Sequence, residues 1–131
     1  MIDLIRTRCR TLIYSTALPP GTVAAAIAAL DLIQDDPEYA ALPLHKAKAF
    51  TALLGLADAE SPIVPIVLGD TQRTLDASKM LEDEGFLVIA IRPPTVPDGT
   101  ARLRVTFTAA HDDDDIARLA ELIKPLMADT P

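Results

Sequence analysis

Residues 86–108 read FLVIAIRPPTVPDGTARLRVTFT, and this stretch decides the fold. Its first part, Phe86 to Ile91, is an apolar run rich in branched side chains, the composition of a strand. Its last part alternates Leu103, Val105 and Phe107 with Arg102, Arg104, Thr106 and Thr108. Successive side chains of a strand point to opposite faces, so this one has an apolar face and a polar face. Between the two, Pro93, Pro94, Pro97 and Gly99 force a loop, because proline fixes φ and carries no backbone donor.

Upstream lies a third strand, Ser61 to Leu68 (SPIVPIVL), whose two prolines put it at a sheet edge or give it a bulged start. Gly69-Asp70 then opens a helix running to about Glu84, with Asp70 as its cap and Leu75, Ser78 and Leu81 facing inward. Gly85 is suited to the left-handed position that ends it. Downstream, Asp112 caps a helix whose Ile116, Leu119, Ile123 and Leu126 form one stripe, and its acidic first turn suits the positive end of the dipole.

Towards the amino terminus, Pro19-Pro20-Gly21 is followed by Val23, Ala26, Ile27, Leu30 and Ile33 at helical spacing, which predicts a buried helix. Asp35-Asp36-Pro37 breaks it. A second helix follows, with Pro43 near its first turn, Ala47, Phe50, Leu53 and Leu54 on one face, and Gly55 at its end. The predicted order is ααβαββα. This is an α/β fold of the two-layer α+β kind, about three strands packed against helices, expected as a single domain over residues 1–131.

Composition narrows the function classes. The chain has 131 residues, 50% hydrophobic with three Phe, two Tyr and no Trp, so the core is aliphatic. A formal charge of -7 repels phosphate backbones, which argues against nucleic acid as a partner. A single cysteine, Cys9, allows no internal disulfide, and no segment has the pattern of a secretory leader. No apolar run approaches the roughly 20 residues of a spanning helix. The expectation is a cytoplasmic protein with no membrane partner. The start is unusual: Ile2, Leu4, Ile5, Leu12 and Ile13 alternate with Arg6, Arg8 and Arg10 and have no obvious local partner.

Few residues carry chemistry. His45 and His111 show neither metal-ligand spacing nor the setting of a catalytic triad. Cys9 lies in a basic neighbourhood that could lower its pKa, yet no base is placed beside it. The loop from Arg92 to Pro97 and the strand carrying Arg102 and Arg104 differ from these. Prolines hold the backbone while guanidinium and hydroxyl groups are presented, as in a rigid site for an anion. A guanidinium at Arg104 can take a carboxylate in a two-point contact; on composition alone, a surface arginine is an equal reading.

Three segments, Ile13-Tyr14-Ser15-Thr16-Ala17-Leu18-Pro19-Pro20, Ile91 to Pro97, and Gly99 to His111, resemble in order and separation three motifs of the 2-oxoamine synthases. These are pyridoxal-phosphate-dependent acyltransferases of the aminotransferase type I fold, and dimers. The resemblance spans nearly the whole chain and implies the C-terminal small domain, with residues 1–18 connecting to a large domain. Within the family the wording is most similar to the biotin-pathway member, which condenses a pimeloyl thioester with L-alanine and releases carbon dioxide. It implies that Arg104 holds the amino-acid α-carboxylate, with Arg92 and Thr95 at the substrate end of the pocket. It also implies that Ser15 and Thr16 reach across a dimer to the cofactor phosphate. A turn-capping role for Ser15 and Thr16 is the simpler reading, and Thr22 is an equally good helix cap.

The family's large domain supplies the Schiff-base lysine, and nothing here matches its motif: the lysines are Lys46, Lys48, Lys79 and Lys124, all in predicted helices. The expectation is therefore a part of such an enzyme, inactive alone, completed by a large-domain partner or within a homodimer. Two other classes stay open. One is a non-catalytic module that self-associates through Ile2 to Ile13, and the other is a regulatory domain that binds a small carboxylate without a cofactor.

Overall fold

The computed structural model describes residues 1–128. Its elements run α1 (Ile2–Arg8), α2 (Arg10–Ile13), α3 (Pro20–Asp35), α4 (Pro37–Leu54), β1 (Ile63–Gly69), α5 (Thr71–Asp83), β2 (Ile89–Ile91), β3 (Ala101–Thr106) and α6 (Asp113–Ala128). From α3 onward this is the predicted ααβαββα order. The two short helices before it, α1 and α2, were not foreseen, because their apolar residues are interrupted by arginines and follow no clean helical period. By its own contacts the chain divides into two compact units, Met1–Pro37 and Glu38–Pro131, where the sequence suggested a single domain.

In the first unit, α3 starts with Pro20 in its first turn, a position where the missing donor would be unpaired anyway. Its apolar stripe was expected to be buried. It is not: Ile27 is 54% exposed, Leu30 58% and Ile33 52%, and no residue of α3 is buried. Helical periodicity reports that a face is apolar and does not report what covers it. Thr22 does not serve as the cap either, since its N–H joins a turn by donating to the Pro19 carbonyl at 3.0 Å.

The second unit is a three-stranded antiparallel sheet in the order β1-β3-β2, with helices on one face. The core takes Ala47, Phe50 and Leu54 from α4, Ala77 and Leu81 from α5, and Ile116, Leu119, Ala120 and Ile123 from α6. These meet Val64, Ile66 and Leu68 of β1 and Leu103 and Val105 of β3, with Phe107 just beyond. Phe50 and Phe107 stack in a tilted pair with centroids 5.1 Å apart. Alternation therefore holds in both long strands, whose other faces stay open.

β1 is an edge strand, one of the two readings its prolines allowed, and its irregularity lies at the end and not the start, between Val67 and Gly69. Gly69 has φ +82°, which only glycine adopts readily, and a side chain there would meet the Gly99 carbonyl oxygen at 3.5 Å. Asp70 caps α5, its carboxylate accepting the Arg73 N–H at 2.8 Å. Thr74, Ala77 and Leu81 form the buried stripe of α5, while Leu75 is exposed; the inward face is offset by one residue from the expected one. Pro43 sits inside α4, not in its first turn, because the helix begins earlier, at Pro37. Leu53 is exposed on the same helix. Only Ile89–Ile91 of the expected Phe86–Ile91 strand pairs, since the chain leaves α5 through a turn in which the Phe86 N–H donates to the Leu81 carbonyl.

Candidate functional site

The open face of the sheet is the side that the helices leave bare. β3 runs through its middle, and Arg104 stands in cross-strand register with Pro65 of β1 and Ile89 of β2. Arg102, one step along the same face, is in register with Val67 and Ile91. The two arginines are thus bordered on both sides by apolar residues, and Ile63, Val67 and Ile89 are each about half exposed.

Arg104 is exposed, and its guanidinium has no hydrogen bond or ion pair among the described residues. The nearest strands offer it no carboxylate, so its charge is available to an incoming anion. Arg102 differs. It is half-buried, and its Nε donates to the Thr100 carbonyl at 2.9 Å. Sequence parity put both arginines on one face but could not show that difference, which depends on how the Thr100 peptide is oriented at the start of β3.

Arg92 and Thr95 lie in that loop, residues 92–100, which joins β2 to β3 beyond the rung formed by Ile91 and Arg102. Both are exposed. The Thr95 N–H donates to the Arg92 carbonyl at 3.1 Å, and Thr100 closes a second turn, its N–H and its hydroxyl both donating to the Pro97 carbonyl. The Pro93–Pro94 peptide is cis. Arg92, Thr95 and Arg104 thus belong to one hairpin, with Arg104 on its strand and the other two in its connection.

Ser15 and Thr16 belong to the first unit and follow α2. Ser15 does close a turn, its hydroxyl donating to the Leu12 carbonyl at 2.7 Å. The Thr16 side chain is exposed and makes no hydrogen bond among the described residues. Cys9 has its thiol pKa held below the usual value. The leading cause is the hydrogen bond with the Thr11 hydroxyl, and the Leu12 backbone adds to it.

Of the two histidines, His111 makes structural contacts. His111 Nδ1 accepts the Thr108 N–H at 3.1 Å and its ring packs edge-on to Phe107. His45 lies at a groove beside Leu42, Ala49 and Leu53. Among the described residues no group of three His, Cys, Asp or Glu side chains could hold a metal ion. No helix among them is long and apolar enough to cross a membrane.

The second unit thus presents a three-stranded antiparallel sheet with helices on one face and an arginine, unpaired among the described residues, on the open face of its central strand. The family model "Aminotransferase class I and II" matches residues 1–123, and the chain belongs to that family. Among curated proteins it is similar to 8-amino-7-oxononanoate synthase of Granulibacter bethesdensis, 62% identical over 130 residues that cover 99% of this chain and 34% of that protein. It is also similar to 8-amino-7-oxononanoate synthase of Methylocella silvestris, 58% identical over 127 residues that cover 97% of this chain and 36% of that one. The chain thus spans about a third of the length of these relatives.

Among solved structures, the fold matches Sphingomonas wittichii serine palmitoyltransferase with a TM-score of 0.85 at 23% identity, covering 98% of this chain and 34% of the other. It matches 8-amino-7-oxononanoate synthase from Francisella tularensis with a TM-score of 0.79 at 24% identity, covering 95% of this chain and 38% of the other. The family resemblance read from the three motifs is borne out.

Proposed function

We propose that this chain forms the carboxylate-binding side of a pyridoxal-phosphate-dependent acyltransferase of the 8-amino-7-oxononanoate synthase kind. In this reading the enzyme condenses L-alanine with a pimeloyl thioester in the cytoplasm and releases carbon dioxide. The observation that carries it is Arg104: an exposed, unpaired guanidinium in the middle of the sheet's open face, with apolar neighbours in register on both sides. Water competes less well for an anion held against such a surface, and a charge-assisted hydrogen bond there contributes about 1.5–3 kcal/mol. Arg104 binds and orients the α-carboxylate. Arg92 and Thr95, in the loop of the same hairpin, face the rest of the substrate.

Pyridoxal phosphate, when bound by the complete enzyme, supplies the electron sink for this chemistry. The hydroxyls present fit a contact to its phosphate: the free Thr16 hydroxyl can donate, and Ser15 holds the preceding turn closed. Two of the four lysines are ill suited to the covalent role, which needs an amine that can be neutral, and Lys48 and Lys124 lie in α4 and α6 outside any stretch that resembles the family's lysine motif. Lys46 is engaged with the His111 carbonyl and with Asp113, and Lys79 is held above its ordinary pKa by Asp83 and Glu82. In this reading the covalent lysine comes from the rest of the enzyme, as a large-domain partner or within a homodimer. A self-association module is the competing reading, favoured by the exposure of Ile2 and Leu4, at 69% and 60%.

The test joins this chain to the remaining two thirds of the Granulibacter bethesdensis relative and measures alanine-dependent release of carbon dioxide with a pimeloyl thioester. Activity that disappears with Arg104→Ala supports the reading. An active hybrid indifferent to Arg104→Ala removes Arg104 from the site, and a folded hybrid without activity removes the reaction.

A further inference from the structure

Arg102 shares a face with Arg104 yet differs from it in burial and in partners. It is half-buried, it forms no ion pair among the described residues, and its Nε–H is directed into the loop that precedes its own strand. With Ile91 it makes the last rung of the β2–β3 ladder before that loop opens. The loop is rich in proline and so has few backbone donors of its own. Two short turns hold it internally, Thr95 N–H to the Arg92 carbonyl and Thr100 N–H to the Pro97 carbonyl. The Arg102 side chain reaches back two residues to the Thr100 carbonyl, at the junction where the second turn runs into β3.

We propose that Arg102 is a positioning residue: its Nε–H holds the Thr100 carbonyl where the 92–100 loop joins β3, fixing the angle at which the loop leaves the strand and so the relation of Arg92 and Thr95 to Arg104. This deepens the carboxylate-site reading and rests on it for the roles of Arg92, Thr95 and Arg104. The anchor depends on one atom's position, not on charge. The Nε of arginine follows Cδ directly, as does the amide nitrogen of glutamine, whereas lysine has a methylene there and its ammonium one bond further out. Glutamine therefore replaces the donor without the charge, and lysine the charge without the donor.

The experiment measures amide hydrogen exchange of the full chain for wild type, Arg102→Gln, Arg102→Lys, Arg102→Ala and Arg104→Ala. It reads Thr95 and Thr100 against β1 and the rest of β3. Loss of one anchoring hydrogen bond speeds exchange at Thr95 and Thr100 by about five- to tenfold in the lysine and alanine variants. The glutamine variant and Arg104→Ala stay near wild type, and the strands are unchanged throughout. A role in packing or charge predicts the reverse order, lysine closer to wild type than glutamine. Equal behaviour of the glutamine and lysine variants, or better protection with lysine, overturns the proposal, and this comparison decides even if the alanine variant loses its fold. No substrate enters the measurement, so its failure is separate from failure of the Arg104 reading, which the hybrid enzyme tests.

Discussion

Arg104 and Ile89 face each other across β3 and β2 as cross-strand partners on the side of the sheet away from α4, α5 and α6. The charge therefore stands against an apolar neighbour, and nothing in the fold depends on it. Arg104→Ala should leave thermal stability within about 0.5 kcal/mol of wild type, the usual range for surface positions. In an assembled enzyme the same change should lower kcat/KM for the amino acid by roughly ten- to 150-fold, the equivalent of about 1.5–3 kcal/mol. Calorimetry and steady-state kinetics on one variant separate the two effects, and a large loss of stability would make Arg104 a structural residue.

Phe50 is fully buried and stacks on Phe107, linking α4 to the end of β3. Phe50→Ala should destabilise the second unit by about 3–5 kcal/mol, through lost burial and the cavity left behind. Urea denaturation followed by circular dichroism measures this, and a loss under 1 kcal/mol would mean that α4 does not close the core.

The cap of α5 is testable by itself. Asp70 Oδ1 accepts the Arg73 N–H at 2.8 Å, in a turn where the Thr74 hydroxyl also donates to the Asp70 carbonyl. Asp70→Ala removes the first bond and leaves the second, and should cost about 1 kcal/mol, whereas Asp70→Asn should cost less. Equal losses in the two variants would point to charge, not capping.

Lys79 gives a pH signature. Asp83 and Glu82 raise its pKa above the ordinary lysine value, Asp83 acting first through a 2.7 Å contact. A pKa raised by folding means stabilisation present below the unfolded value and lost as pH rises through the folded one. The stability gap between wild type and Lys79→Met should therefore be constant through neutral pH and close in the alkaline range, above about pH 10. Because all three side chains are exposed, the gap should be small and should shrink with added salt. Urea titrations at neutral and alkaline pH, with and without salt, check the sign.

Patterning within a single element was legible in the sequence. The alternation in Ala101–Thr106 gave the two faces of β3, and the prolines of 61–68 narrowed that strand to an edge position or a bulged start, because both follow from local backbone geometry. Asp70 was legible as a cap for the same reason. Patterning across elements was less so: the inward face of α5 is set by how the helix lies on the sheet, and it fell on Thr74 and Ala77 instead of Leu75 and Ser78. The stripe of α3 was read correctly as apolar and wrongly as buried.

The candidate site divides along the same line. The residue types and spacings at Ser15, Thr16, Arg92, Thr95 and Arg104, and through them the family, were determined by the sequence alone, since motifs are linear. Only the tertiary structure decided that Arg102 is tied down while Arg104 is free. Each strand of the sheet constrains its own side chains to alternate, but the difference between two arginines on one face arises at the loop junction, where the Thr100 carbonyl is turned to meet Arg102, an orientation that alternation does not encode.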